Sequence, residues 1–196
     1  MIRNSFEKGP EGWCSYDYHA SIVADGQNIF VLTTWQRNGG VGDSGHIWTD
    51  HRRWSADTPE QPISILPLIY YRNWLGEDPL DLREADVSVH LRGDNLRLDG
   101  ALCYFWVGGP GTRWHLTGQP LAISEGAWGA EPARFRLRND ESLWHRSWAM
   151  RPQGLEAVLA NTGSYGFSFV GFTSEVSGRL SMDEFTITPV AAGSSG

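Results

Sequence analysis

Lysine is nearly absent from this 196-residue sequence: of 16 basic residues only Lys8 is a lysine, and 23 acidic residues leave a formal charge of −7. A chain of that sign lacks the cationic surface that displaces counterions from a polyanion, which argues against nucleic-acid binding and against attachment to an anionic membrane. Arginine in place of lysine suits planar, bidentate recognition of anions; the codon bias of a GC-rich genome is the preferred explanation. Cysteine is scarce too. Cys14 and Cys103 fall outside any CxxC pattern, so a zinc site is unsupported and two buried free thiols are expected, with a disulfide as the alternative. No apolar run approaches the length of a membrane span, and the opening MIRNSFEKG has no signal-peptide stretch. Membrane insertion is therefore not expected, and the chain as written reads as cytoplasmic or as a domain excised from a secreted protein.

Catalytic motifs are missing as well. There is no G-x-S-x-G elbow and no HExxH, and the glycine-rich RNGGVGDSG lacks G-x-G-x-x-G spacing and leads into the strand-like HIWTD rather than a helix. His46 and His51 are five apart, which on a continued strand sends them to opposite faces, so a shared metal would need a turn between them. Asp183 and Glu184, adjacent on a strand, cannot flank a glycosidic bond for the same reason.

What the chain does have is aromatics and turn formers: 10 Trp, 8 Phe and 6 Tyr beside 23 Gly and 10 Pro. That mixture suits short strands joined by tight turns. ADVSVHL places Val87, Val89 and Leu91 on one face, and ARFRLR sets Phe135 and Leu137 against Arg134, Arg136 and Arg138. Further strands are expected at 29–35, 46–49, 63–66, 102–107, 165–172 and 179–187, which suggests two packed sheets. RPQGLEAVLAN predicts one short helix, with Pro152 in its first turn and Leu155, Val158 and Leu159 on one face. The expected fold is an all-β, two-sheet antiparallel β-sandwich of jelly-roll type, one domain over residues 1–189 followed by a disordered tail at 190–196.

Phe6-Glu7-x-Gly9 followed by Gly12-Trp13, together with VLANTGSYGFSF and GRLSMDEFTI near the other end, resembles the opening and close of jelly-roll, galactose-binding-like carbohydrate-binding modules and of laminin B (domain IV) modules. GGVGDSGHIWTD, LDLREADVSVHLRG and GTRWHL follow the laminin-B-like order between them, while PISILPLIYYRNWLGE matches it only loosely and the long Trp- and Arg-rich loop from Trp128 to Pro152 departs from it. The resemblance implies a structural calcium ion tying the first and last strands, with Glu7 and Asp183 as the prime ligands, Asp50 as a third and Asp43 as a distant fourth; calcium takes six to eight oxygens, so a few carboxylates plus loop carbonyls suffice.

Sugar rings present apolar C–H faces that stack on Trp or Tyr, with polar side chains reaching the hydroxyls. Trp13 is expected in the core, and in CYFWV alternation turns inward either Tyr104 and Trp106 or Cys103 and Phe105. The candidates for ligand contact are Trp54, the Tyr71–Arg72–Trp74 group, and Trp144, His145, Arg146 and Trp148. The Arg134, Arg136 and Arg138 row is either a grip for an acidic polysaccharide or an ordinary solvated strand face, and the latter is preferred. The function expected is a non-catalytic module for an oligo- or polysaccharide. One alternative is a laminin-like scaffold with a protein partner; the other is a carbohydrate-active enzyme, either a glycosidase or a polysaccharide lyase with His115, His145, Arg146 and Tyr71 as its neutralising and proton-transfer groups.

Overall fold

A computed structural model describes residues 1–16, 30–56, 64–173 and 175–190. Its strands run in chain order as β1 (Ile2–Asn4), β2 (Cys14–Tyr16), β3 (Phe30–Leu32), β4 (Thr34–Gln36), β5 (His46–Asp50), β6 (Ser55–Ala56), β7 (Ser64–Tyr71) and β8 (Glu84–Arg97). They continue as β9 (Leu102–Gly109), β10 (Thr112–His115), β11 (Ser124–Glu125), β12 (Ala133–Arg138), β13 (His145–Ala149), β14 (Ser164–Val170) and β15 (Ser177–Pro189); the α-helix α1 (Leu155–Ala160) lies between β13 and β14.

Two sheets result. Sheet A follows the order β11-β8-β15-β5-β4, with β1 added to β15 and β12 added to β8; sheet B follows β13-β10-β9-β14-β7-β2-β3, with β6 on β7. Among the described residues the strand pairings are antiparallel except the two-residue contact of β11 with β8. The β-sandwich expected from the strand pattern is therefore the fold observed. No helix of the described residues is long and apolar enough to cross a membrane.

The alternating sequences dictate the core. Val87 and Val89 from β8, Phe135 and Leu137 from β12, and Phe185 and Ile187 from β15 meet Phe105 and Val107 from β9 and Tyr165, Phe167 and Phe169 from β14, all buried. Trp13 lies at the centre as expected, fully buried, with its ring centroid 5.0 Å from Phe185 and 5.5 Å from Tyr70. Such edge-on aromatic pairs add about 0.5–1.5 kcal/mol each beyond their buried area. Both cysteines are free and buried, as expected, and burial pushes the Cys14 thiol up to about 12.

Three expectations need adjusting. The helix begins after Gly154, so Pro152 precedes it instead of occupying its first turn. The stretch expected as one strand at 29–35 divides at Thr33 into β3 and β4, which belong to different sheets. The Trp- and Arg-rich stretch around Trp144, expected as a loop, contains the edge strand β13. Ile29, Ile63 and residues 191–196 of the expected tail lie outside the described residues.

Candidate functional site

On β9, Cys103, Phe105 and Val107 point into the sandwich, so Trp106 points to the outer face of sheet B. It is nonetheless only 1% exposed, and it forms a second small apolar cluster with Cys14, Leu66 and Ile69, against which Tyr71 packs. Two glycines make room for its indole. A Cβ on Gly166, in the neighbouring strand β14, would sit 3.0 Å from Trp106 Cζ2, and one on Gly108 would sit 3.3 Å from Cζ3. The ring therefore lies flat against the sheet, and its N–H donates to the Phe167 carbonyl at 3.2 Å.

Arg113 crosses this ring from β10. Its guanidinium carbon is 4.8 Å from the Trp106 ring centroid and 5.6 Å from that of Trp148, which the β10–β13 register sets directly opposite Arg113. Stacked cation–aromatic contacts of this kind contribute about 0.5–2 kcal/mol and hold the planar side chain in one orientation. Beside the stack is a cavity of about 300 Å³. Its walls are Tyr71, Trp106, Arg113 and Trp148, with Asn73, Asn161, Thr112 and Ser164 as polar groups and bare backbone at Gly108, Gly109, Gly111 and Gly163. Tyr71 is itself stacked on Trp74, centroids 4.2 Å apart and planes 15° apart, and Trp74 is 46% exposed. Apolar ring faces beside amide and hydroxyl groups are what a small polar ring compound needs: surfaces for its C–H faces and partners for its oxygens.

The sequence candidates thus divide. Tyr71 and Trp148 line the cavity and Trp74 buttresses it. Arg72 instead closes the sandwich end: Nη1 is 2.8 Å from Glu77 Oε2, Nε donates to the Asp78 carbonyl, and Tyr70 donates its hydroxyl to the same Glu77. Trp54 leans on the core with its ring 5.2 Å from Phe169, donating its N–H to Thr49 Oγ1. Trp144, expected to contact ligand, is instead 6% exposed within the core and donates to the Arg138 carbonyl. His145 and Arg146 are exposed on β13 and line a separate open hollow of about 460 Å³ with Trp114, Glu141 and Trp144. His115 is buried between Ser147 and Ser168 hydroxyls, at 3.0 and 3.4 Å. Its pKa is held well below the ordinary value, by burial first and then by Arg113 and His145. Tyr71 and the His145–Arg146 pair therefore do not share a cavity.

Trp106, Arg113, Asn73 and Asn161 were not singled out from the sequence. The signal that could have found them is GGPG, residues 108–111: glycines beside an aromatic strand let backbone and ligand approach closely.

The carboxylates expected around calcium are not gathered. Among the described residues no group of three His, Cys, Asp or Glu side chains could hold a metal ion. Glu7 is exposed. Asp50 accepts from Arg52 at 2.7 Å, and that hydrogen bond holds its carboxyl below the usual range. Asp43 accepts from the Gly39 N–H within its own turn. Asp183 is fully buried, with Oδ2 accepting from Val41 N–H at 2.8 Å and the Ser44 hydroxyl at 2.7 Å, and Oδ1 accepting from Glu184 N–H. It has neutral donors and no cationic partner among the described residues, and burial raises its pKa. Of the four, Asp183 is the one that is fully buried, and its two oxygens are satisfied by neutral backbone and hydroxyl donors.

No family model matches the chain, and no curated protein sequence matches it. Among solved structures, an exo-β-agarase superposes with a TM-score of 0.50 at 12% identity over 95% of this chain, which spans about a quarter (25%) of the agarase chain. The family 11 carbohydrate-binding module of a cellulosomal cellulase from Clostridium thermocellum gives 0.48 at 11% identity over 81% of this chain and 82% of that one. A family 28 carbohydrate-binding module specific for non-crystalline cellulose gives 0.43 at 13% over 95% and 93%. At such identities the likeness is one of fold, and the chain is a β-sandwich resembling part of the agarase chain.

Proposed function

We propose that the chain is a non-catalytic carbohydrate-binding module whose ligand enters the cavity between Tyr71, Trp106 and Trp148. The observation that carries this is the cavity itself: aromatic walls, amide and hydroxyl groups between them, and a volume of about 300 Å³, at the lower end of the roughly 300–1,000 Å³ of small-molecule sites. That size suits one or two sugar rings rather than a long stretch of chain. Tyr71→Ala and Trp148→Ala test it by isothermal titration with neutral oligosaccharides. Saturable binding by the parent chain, weakened in both variants, supports the reading. Absence of binding to a broad glycan array, with a protein recovered instead, would favour the scaffold alternative, and turnover of a retained polysaccharide would favour the enzyme.

A structural calcium ion belongs to the same proposal, now centred on Asp183, with loop carbonyls and water supplying the other oxygens in place of Glu7 and Asp50. The burial of that carboxylate beside the Val41–Ser44 turn and the resemblance of the chain ends support it. Thermal melting with added calcium and with excess chelator tests it.

A further inference from the structure

We propose that the outer face of sheet A carries a second site, independent of the aromatic cavity, for an acidic polysaccharide bearing carboxylates or sulfates. Because Phe135 and Leu137 are buried in the core, alternation turns Arg134, Arg136 and Arg138 of β12 outward. The sheet register then builds rows across three strands: Arg134 beside Ser88 of β8 and Thr186 of β15, and Arg136 beside Asp86 and Thr188. These side chains, with Gln119, line a groove of about 620 Å³.

Charge sets this face apart from the rest of the chain. The sequence carries a net −7, yet this face sets three guanidinium groups against two acids, Asp86 in the groove and Glu84 opposite Arg138. Arg136 is tied to Glu84 at 3.1 Å. Arg134 and Arg138 are exposed and form no ion pair within 4.0 Å among the described residues. Alternate residues of a strand lie about 6.6–6.8 Å apart, so the three cations span about 13 Å in a line. That geometry meets anions repeated along an extended polymer, and guanidinium groups bind carboxylate and sulfate by paired N–H donors.

The flanking groups choose the polymer. Thr186, Thr188, Ser88 and Gln119 offer hydroxyls and an amide to a hydroxylated chain. Protein partners are anchored by large apolar or aromatic side chains entering pockets; here the two apolar residues, Val87 and Phe135, are buried to 1% and 6% and leave no such pocket.

The test is affinity electrophoresis and titration calorimetry at low salt with polygalacturonate and dextran sulfate, with neutral dextran and polyglutamate as controls. The parent chain should bind at least one acidic polysaccharide, and the Arg134→Gln/Arg138→Gln double variant should lose at least roughly tenfold in affinity. Its melting temperature should be unchanged, and so should neutral-sugar binding at the Tyr71 cavity. The single variant Arg138→Gln should show a partial loss, which keeps the test decisive if the double variant folds poorly. Absence of binding to both acidic polysaccharides, undiminished binding by the variants, or equal binding of polyglutamate would overturn the proposal. None of these outcomes bears on the aromatic cavity, whose neutral-sugar binding is read separately.

Discussion

Trp148 and Trp106 hold Arg113 between them, but they differ in what they risk when removed. Trp106 fills the space above Gly166 and belongs to a buried cluster, so truncating it removes packing as well as a cavity wall. Trp148 sits on the edge strand β13 and is only half-buried. Trp148→Ala is therefore expected to lower sugar affinity by about 10- to 100-fold, the loss of a ring face worth roughly 1.5–3 kcal/mol, while far-ultraviolet circular dichroism stays that of the parent. Retained affinity would remove Trp148 from the binding surface. His115 offers a second test at this scale. Burial, then Arg113 and His145, depress its folded pKa below the ordinary 6.5, so between the folded pKa and 6.5 the unfolded chain binds the extra proton. The stability His115 contributes is complete above about pH 6.5 and is lost as pH falls through that window. Melting temperature should decline on acidification from pH 7.5 to 5, and His115→Asn, melting lower at neutral pH, should show a shallower decline; parallel slopes would contradict the assignment. At Asp183, calcium should raise the melting temperature of the parent and not that of Asp183→Asn, and a midpoint indifferent to both calcium and chelator would remove the ion.

Strand β14 links core and cavity. Its residues Tyr165, Phe167 and Phe169 build the inner face, while Gly166 between them leaves the outer face open for Trp106. A methyl group on Gly166 would meet the Leu68 carbonyl oxygen and the indole. Gly166→Ala is expected to cost about 1–3 kcal/mol by overpacking, read as a lowered denaturation midpoint, and to weaken sugar binding by lifting the cavity wall. Elements also show what the sequence could and could not disclose. ADVSVHL and ARFRLR were legible because a sharp period of two reports a half-buried strand directly, and they pair with each other as β8 and β12. HRSWA was not: as an edge strand it has no regular apolar alternation, and its partner β10 supplies the register instead. The division of 29–35 into β3 and β4 escaped notice because Thr33 is an ordinary strand former; its change of sheet is set by tertiary pairing, with Thr33 N–H and Oγ1 both bonded to the Trp13 carbonyl.

Across the whole molecule, the proposed binding surfaces lie outside the core that the two sheets share. Sheets A and B share one aromatic core centred on Trp13, and each sheet shows a different chemistry on its outer face: aromatic and amide on B, guanidinium and hydroxyl on A. Composition pointed to short strands and tight turns, 24 aromatic residues beside 23 glycines, and the number of alternating segments pointed to two packed sheets. Neither foretold the site. Trp54, Trp144 and Arg72 sit in the same kind of polar-aromatic sequence as Tyr71, Trp74 and Trp148, and the long-range pairing of β7, β9, β10, β13 and β14 decides which rings turn outward and meet. The most direct measurement is therefore calorimetric titration of the parent chain, Tyr71→Ala and Trp148→Ala with a panel of neutral di- to hexasaccharides. Saturable binding to at least one sugar by the parent, lost or weakened at least roughly tenfold in both variants with melting temperatures preserved, is the result expected of a sugar-binding cavity. Binding that both variants leave untouched, or no binding to any sugar on the panel, would contradict it.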